Sequence, residues 1–513
     1  MRAPTLRAGA RGPILLQAVA GIGAALAVLP LVYLVIRAGE GGRGKVEATL
    51  LRRRTLDLAL RSLELAGIVT ALCLVIGVTL AWLVTRTDLP FRRVVGVLVA
   101  LPLALPSYVS ALAWIGYRPG LAGRTGSILV LTTVSYPYVY LPTVAALRRC
   151  DPALEDAART LGHRRWSVFR RVLLPQVRPA AVGGCLLVGL YALSDFTAVA
   201  TMRYPVLTQQ IYQSYRASFD RTPAAILGCV LAALTVTVVA IEGRTRRRNR
   251  IAKVGAGAIR TQPVVALGPL RWPALAVPLG VVATSLAVPA WGLRRWFDQG
   301  RSRAKADQWW DALGHTFQTG ALGALAVVVL ATPIAYLLVR HPGPVPRTAE
   351  RAAYAGHALP GLVIGLSLVF FGIRWAKPIY QTVPLLILAY VVLFLSLGLG
   401  SIQASFAQIP RGLEDAARTL GRSATRAWCS VTLRLAAPGI GAAATLVFLT
   451  VMKELPATLF LRPTSFDTLA TRMWGHMSSQ SFAAAAPYAV TIVVVAALPT
   501  AILSLVGQRR GER

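Results

Sequence analysis

The stretch Leu154-Glu-Asp-Ala-Ala-Arg-Thr-Leu-Gly162 occurs twice in this chain, and its second copy runs from Leu413 to Gly421. Nine identical residues in a row have essentially no chance origin in a chain of 513 residues. Pro179 and Pro438 follow the two copies at the same spacing, and each of them begins an apolar block. The chain is therefore predicted to be an internal duplication.

Long apolar blocks fill most of the sequence on either side of these copies. Hydrophobic residues make up 55% of the chain and charged residues only 15%, whereas soluble proteins are about a quarter charged. Each block has about the 20 residues that a helix needs to cross a bilayer core, and the alternation typical of a transmembrane barrel is absent. We predict an all-α polytopic membrane protein with about twelve transmembrane helices, arranged as two parallel six-helix repeats. The predicted spans are 13–37, 62–85, 94–116, 127–147, 179–202, 223–242, 272–293, 316–339, 353–373, 383–406, 438–460 and 483–506.

The repeats set the predicted domain organisation. The apolar core of the first block, Ile14 to Ile36, is too long for an ordinary signal peptide, so we expect a retained helix. The tripeptides beginning at Ala104 and Ala358 also match each other, which extends the duplication. The predicted parts are a cytoplasmic N-terminus 1–12, a first repeat 13–242, a basic cytoplasmic linker 243–271, a second repeat 272–506 and a cytoplasmic C-terminus 507–513.

The net charge of +35 would suggest a nucleic-acid partner in a soluble protein. In a membrane protein, Lys and Arg accumulate in cytoplasmic segments. With the N-terminus inside, the predicted inner segments hold 33 of the 55 basic residues. We therefore predict a plasma or inner membrane location with both termini cytoplasmic, contact of the linker with anionic lipid, and no nucleic-acid partner.

Catalytic and metal-binding motifs are missing from the sequence. The five cysteines form no CxxC pair and the five histidines are scattered, which argues against a disulfide framework and a thiolate metal site. No GxxxxGK[ST] phosphate loop, HExxH or GxSxG motif occurs. We expect no catalytic residues, no cofactor bound by this chain and no enzymatic activity of its own, and the sequence leaves metal ligands unknown.

The repeated stretch has the features of a short amphipathic helix. Asp151 can cap it and Pro152 suits its first position, while Glu155 and Asp156 lie near the positive end of the helix dipole. Gly162 permits a sharp turn at its end. An apolar stripe at helical spacing is predicted to meet a partner: Leu154, Ala157, Ala158 and Leu161.

The pattern Asp156-Ala157-Ala158-x3-Gly162-x9-Val172-x-Leu174-Pro175 resembles the EAA motif of ABC importer permeases, with Asp in the first position. The second copy departs from it at Arg434, which replaces the final proline. The resemblance covers roughly 60–240 and 315–505, and it implies that each copy is a coupling helix seated in a groove of an ATP-hydrolysing subunit. The implied coupling residues are Glu155, Asp156, Ala157, Ala158, Gly162, Glu414, Asp415, Ala416, Ala417 and Gly421.

The same resemblance implies the partners. Two copies of an ABC ATPase subunit would bind on the cytoplasmic side and use ATP, and an extracytoplasmic binding protein would deliver the substrate for alternating access. One chain carries two coupling helices, so no self-dimer is needed.

A narrower resemblance concerns the predicted fifth and eleventh helices. The stretches 193–196, 452–458 and 462–471 are similar to fused permeases of the ferric-iron importer group. Related groups move thiamine, phosphonate, sulfate or polyamines, and these substrates remain alternatives.

Three ionisable residues, Asp195, Lys453 and Glu454, fall in or near predicted spans, and Pro456 follows them. Such residues are costly in a membrane and usually face a pathway or each other. Two hypotheses stay open: these four residues line the translocation pathway, or the charges form a structural pair between the halves. A secondary transporter and an intramembrane enzyme are the rival classes, although neither needs paired surface helices.

Overall fold

Helix is the main structure that apolar stretches of this length can form inside a bilayer, because every backbone N–H must find an acceptor. The computed structural model describes residues 13–150, 152–217, 220–247, 264–299 and 306–510. Across these ranges it contains no strand, and one isolated bridge joins Thr87 to Val265. The predicted N-terminus 1–12, Asp151, linker residues 248–263 and the last three residues lie outside the described residues.

The helices are numbered in chain order. They are α1 (Ile14–Gly39), α2 (Gly42–Leu50), α3 (Arg53–Arg86), α4 (Arg92–Ala100), α5 (Ser107–Tyr117), α6 (Arg124–Ser135), α7 (Pro137–Arg149), α8 (Pro152–Thr160), α9 (Arg165–Val168), α10 (Leu174–Ser194), α11 (Thr197–Thr201), α12 (Leu207–Ala217), α13 (Thr222–Arg247), α14 (Arg271–Val282), α15 (Val288–Gln299), α16 (Ala306–Arg340), α17 (Pro344–His357), α18 (Gly361–Arg374), α19 (Val383–Ala407), α20 (Arg411–Thr419), α21 (Ala424–Ala427), α22 (Leu433–Met452), α23 (Pro456–Leu461), α24 (Leu469–Ser478) and α25 (Phe482–Arg510). Three 3-10 turns cover Leu101–Ala104, Gly268–Leu270 and Lys377–Ile379, and three π-turns cover Phe169–Leu173, Ala283–Ala287 and Trp428–Thr432.

The predicted all-α polytopic class is confirmed. Among the described residues, 9 helices are long and apolar enough to cross a membrane, or up to 11 if two bent pairs each count as one span. The twelfth predicted span, 483–506, lies within α25.

Two predicted spans, 94–116 and 353–373, are not straight helices. The first bends by 100° between Arg92–Ala104 and Ser107–Tyr117, and the second bends by 106° between Pro344–His357 and Gly361–Arg374. Proline has no N–H to continue a helix, and it forces the preceding residue out of helical geometry. Pro106 and Pro360 both stand in extended conformation at the bend, so the repeated Ala-Leu-Pro tripeptides mark the breaks.

Contacts between helices divide the chain into two units, and each unit combines segments of both predicted repeats. The first unit comprises Met1–Val46 with Asp307–Thr471, and the second comprises Glu47–Ala306 with Arg472–Arg513. In the first unit α1 packs on the bent pair α17 and α18, and the Ser367 hydroxyl donates to the Pro30 carbonyl. In the second unit α15 packs on α5, where the Trp296 indole N–H donates to the Leu112 carbonyl at 3.0 Å. In both units the helix that begins one repeat therefore packs on the bent helix of the other, while the repeat boundaries themselves remain a prediction.

The contact between α15 and α5 depends on Gly292, which suggests a test. A β-carbon at this position would lie 1.9 Å from the Ala113 carbonyl oxygen. Gly292→Ala is expected to lower the free energy of unfolding by about 2 kcal/mol, as overpacking does elsewhere. Thermal unfolding in detergent measures this loss. Gly280→Ala is the matched control, since its β-carbon meets no atom within 4 Å, and equal midpoints for the two variants would contradict the prediction.

Candidate functional site

The repeated stretch forms two surface helices, α8 and α20, each nine residues long. Glu155 and Ala158 are only 3% and 7% exposed, so one face of α8 is turned into the protein. The same positions of α20, Glu414 and Ala417, are half-buried and buried. Two positions three residues apart therefore seat each helix, as expected for helical periodicity.

The opposite face of each surface helix is exposed. It consists of Leu154, Asp156, Ala157 and Leu161 at α8, and of Leu413, Asp415, Ala416 and Leu420 at α20. Leu161 and Leu420 are 78% and 84% exposed. Of the apolar stripe predicted to meet a partner, Ala158 is buried by its own unit and the remaining three residues are accessible.

Both surface helices end in the same glycine turn. Gly162 and Gly421 have φ angles of +81° and +83°, which only glycine adopts without strain. The N–H of Gly162 bonds to the Arg159 carbonyl at 2.9 Å, and the N–H of the next residue reaches the Ala158 carbonyl at 3.1 Å. The second copy repeats both bonds, at 3.0 and 3.1 Å. The turn predicted from the sequence is confirmed as a Schellman-type helix end.

This turn yields a prediction for the double variant Gly162→Pro with Gly421→Pro. Proline is confined to negative φ and has no N–H for the turn bond, so the orientation of both surface helices should be lost. We expect substrate uptake in vesicles to be abolished while the protein remains inserted in the membrane. Gly412→Ala serves as a control, because a β-carbon there meets open space at a helical residue. Normal uptake by the double variant would contradict the prediction.

A buried arginine holds each surface helix. Arg86 is the last residue of α3, and its guanidinium lies 2.8 Å from the Glu155 carboxylate, with both side chains under 5% exposed. Arg340 is the last residue of α16 and lies 3.3 Å from the Glu414 carboxylate. Arg86 also donates to the Leu147 carbonyl, and Arg340 donates to the Ile409 carbonyl, each at 3.1 Å. Both carbonyls lie beside a surface helix. The two arginines are 254 residues apart, like the Ala-Leu-Pro tripeptides, and this spacing is the sequence signal that could have identified them.

Cys150 lies next to this ion pair in the first repeat. Burial raises the pKa of its thiol, and the neighbouring Arg86 charge opposes that effect. The thiol is thus kept protonated at neutral pH, which fits a packing residue rather than a nucleophile.

A π-turn follows each surface helix at equivalent places, Phe169–Leu173 and Trp428–Thr432. Such turns interrupt regular helix and are common at functional sites. In the second repeat the Thr432 hydroxyl donates to the Glu414 carboxylate at 2.5 Å, which ties the π-turn directly to α20. In the second repeat the surface helix is therefore bonded directly to the segment that begins the next membrane span.

The carboxylates Asp195 and Glu454 lie in breaks after α10 and α22, so the predicted spans 179–202 and 438–460 end earlier than expected, at Ser194 and Met452. Asp195 Oδ1 accepts from the Ala198 N–H at 2.8 Å. Glu454 Oε1 accepts from the Ala457 N–H at 2.7 Å, the equivalent position in the second repeat. Each carboxylate thus caps the short helix that follows it, α11 or α23.

The residue facing each carboxylate differs in size. The Ser107 hydroxyl donates to Asp195 Oδ2. The equivalent position in the second repeat is Gly361, where a β-carbon would lie 2.9 Å from Glu454 Oε1. The shorter acid, Asp195, contacts a hydroxyl, whereas the longer acid, Glu454, faces a glycine that has no side chain. Each bend is therefore joined to its capped helix by a pair of complementary size.

The other two predicted pathway residues lie beside Glu454. Lys453 follows the last residue of α22 and is half-buried, and its N–H bonds to the Thr450 carbonyl at 3.3 Å. Pro456 is the first residue of α23, a position that suits proline. Glu454 also accepts from the Thr458 N–H at 2.9 Å and from its hydroxyl at 2.5 Å.

An aromatic cluster adjoins Asp195 in the second unit. Phe196 is fully buried, with its ring centroid 4.4 Å from Tyr212 and 5.1 Å from Trp474. The Trp474 indole N–H donates to the Tyr212 hydroxyl at 3.4 Å. The cluster itself is not visible in the sequence, because single aromatics carry no periodic signal. Among the described residues, no group of three or more His, Cys, Asp or Glu could hold a metal ion.

The model of one protein family, the binding-protein-dependent transport system inner membrane component, matches residues 73–251 and 327–512. The chain belongs to this family. Each matched segment contains one surface helix with its glycine turn, so the duplication and the resemblance to importer permeases are both confirmed. As a member of this family the chain is a multi-pass inner membrane permease.

Relatives within the family are named as transport permeases, not as enzymes. The chain is 33% identical over 482 residues to the Fe(3+)-transport system permease protein FbpB 2 of Haemophilus influenzae, covering 93% of this chain and 95% of that protein. It is 24% identical to the putative ferric transport system permease protein FbpB 1 of the same organism, covering 74% of this chain and 63% of that protein. The sulfate transport system permease protein CysW of Escherichia coli is 28% identical over 230 residues, which cover 40% of this chain and 79% of that protein.

Proposed function

We propose that this chain supplies both halves of the permease of an ATP-driven importer and moves ferric iron across the inner membrane by alternating access. An extracytoplasmic binding protein delivers the substrate, and two copies of an ATPase subunit bind on the cytoplasmic side. The observation that carries this proposal is the pair of surface helices with the same exposed face.

The chemistry of that face suits a protein groove. Each surface helix exposes two leucines beside one small alanine and one aspartate, so apolar and acidic side chains share the exposed face. Alanine permits close approach of a partner backbone, and exposed leucine gains free energy when a partner removes it from water. One chain carries the face twice, which supports two ATPase subunits per chain without dimerisation.

The extent of the sequence similarity favours ferric iron over sulfate as the substrate. The similarity to the Fe(3+)-transport permease runs through both repeats, whereas the similarity to the sulfate permease covers a length of about one repeat. Thiamine, phosphonate and polyamines remain substrate alternatives. The excess of basic residues in the predicted inner segments supports cytoplasmic termini.

Uptake by vesicles tests this proposal. The chain is reconstituted with its proposed ATPase and binding-protein partners, and accumulation of radiolabelled ferric iron and sulfate is compared with and without ATP. We expect ATP-dependent iron uptake that requires the binding protein. Sulfate uptake without iron uptake would contradict the substrate, and uptake independent of ATP would contradict the importer class.

The stoichiometry is checked on the same complex by native mass spectrometry. We expect one copy of this chain with two ATPase subunits. A complex with two copies of this chain would contradict the assignment of both coupling surfaces to one molecule.

A further inference from the structure

An apolar groove runs along α15 in the second unit, and no residue of the surface helices lines it. Its volume is about 510 Å³, and it lies between α15, α25 and Leu105 at the bend of the first broken helix. The walls are mainly aliphatic, with one aromatic ring from Phe297, and they include Leu286, Pro289, Leu293, Val490 and Val494. The transport chemistry described above uses none of these side chains.

The groove lies at membrane depth. α14, the π-turn and α15 together form the candidate span Gly268–Gln299, and the other wall belongs to the apolar helix Phe482–Ala497. From Leu286 to Asp298 the helix rises about 18 Å at 1.5 Å per residue, close to one leaflet of a hydrocarbon core about 30 Å thick. Acyl chains, rather than water, are therefore the molecules available to fill it.

The lining of the groove also carries two charged residues. Arg294 and Asp298 line it in the last turns of α15, with side chains 77% and 69% exposed. Arg294 Nε is 3.7 Å from Asp298 Oδ2, which is too long for a hydrogen bond. A guanidinium is well suited to a phosphate group, and a carboxylate accepts hydrogen bonds from an ammonium group.

We propose that this groove binds a phospholipid whose headgroup carries a phosphate and a primary ammonium. One acyl chain fills the aliphatic groove, the phosphate binds Arg294 and the ammonium binds Asp298. A lipid with a phosphate but no ammonium would bring its negative charge beside the Asp298 carboxylate with no compensating donor. The acyl chain would pack on Leu105, two residues before the Ser107 that holds Asp195, so the bound lipid would support the bend.

Photolabelling in nanodiscs tests this site with the full chain. The probe is a phosphatidylethanolamine with a diazirine in one acyl chain, and labelled peptides are mapped after proteolysis. We expect labels to concentrate on peptides containing 286–298 and 490–494. Ala290→Trp places a bulky side chain in the groove and should reduce this labelling at least about fivefold. Ala276→Trp is the control, because Ala276 is exposed on the same span but does not line the groove.

Headgroup recognition is measured separately by native mass spectrometry of delipidated protein with added lipids of identical chains. Phosphatidylethanolamine should be retained better than phosphatidylglycerol or phosphatidylcholine. Arg294→Gln should weaken retention about tenfold, as expected for loss of a charged hydrogen bond, and it changes no buried packing. Arg295→Gln, an exposed neighbour that does not line the groove, should leave retention unchanged.

Three outcomes would overturn the proposal. Labels spread evenly over all apolar helices and insensitive to Ala290→Trp would indicate bulk lipid contact only. Equal retention of the three headgroups would remove the roles of Arg294 and Asp298. A crosslink from this face to a second copy of the chain would assign the groove to an oligomer contact.

Discussion

Glu155→Ala is expected to abolish ATP-coupled transport, because it leaves the Arg86 guanidinium buried without its carboxylate. Removing one partner of a buried ion pair costs about 3 to 5 kcal/mol, and here the loss weakens the attachment of α8 to the rest of the protein. The surface helix should detach from the end of α3, so that closure of the proposed ATPase partner no longer moves the membrane spans. ATPase stimulation by the loaded binding protein and uptake in vesicles should both fall to background, and the unfolding temperature in detergent should drop.

Two further variants separate this role from a direct contact with the ATPase. Asp156→Ala removes the exposed neighbouring carboxylate, so it should leave thermal stability unchanged. Arg86→Met with Glu155→Leu replaces the ion pair by apolar contact, which is often neutral or stabilising, and should restore stability. Stability of Glu155→Ala equal to that of Asp156→Ala would show that the buried pair does not hold the helix. Glu414→Ala is expected to act in the same direction but less strongly, since Glu414 is more exposed and also accepts from Thr432.

The second large effect is expected when Asp195 and Ser107 are replaced by the glutamate and glycine found at the equivalent positions of the other repeat. Asp195→Glu alone should impair uptake, because the longer side chain is pushed against Ser107 and no longer caps α11. Ser107→Gly should also be impaired, since it removes a donor to a buried carboxylate. The double variant reproduces the Glu454 and Gly361 pair of the other repeat, so we expect it to recover uptake. The coupling free energy from a double-mutant cycle of unfolding should be about 1 to 2 kcal/mol, and strict additivity would contradict the complementarity.

Asp195→Asn distinguishes a pathway role of the Asp195 charge from a purely structural role as a helix cap. Asparagine caps a helix about as well as aspartate, so a purely structural cap predicts near-normal stability and near-normal uptake. If the negative charge itself serves the pathway, uptake should fall while stability is retained. The matched measurement on Glu454→Gln, read by uptake and thermal unfolding together, extends the test to the second repeat.

The sequence by itself determined the class of the fold, the duplication and the turn at each surface helix. These features are local: apolar length sets a membrane span, identity at a fixed spacing reveals a repeat, and glycine after a short amphipathic stretch marks a left-handed turn. The motif around Asp156 and Asp415 indicated the family for the same reason, because all of its residues lie within one short segment.

Only the tertiary structure decided which residues hold these segments in place. Arg86 and Glu155 are 69 residues apart, and Ser107 and Asp195 are 88 apart, and no local period relates them. The bends at Pro106 and Pro360 were visible as a repeated tripeptide, but a proline inside an apolar block is compatible with either a kinked span or a break. Packing of α1 and α15 on the bent helices depends on close fit at positions such as Gly292, and the identity of a glycine does not say which backbone it will approach. Burial then converts such long-range contacts into energetic constraints, because a charge or carbonyl removed from water must find its partner elsewhere in the chain.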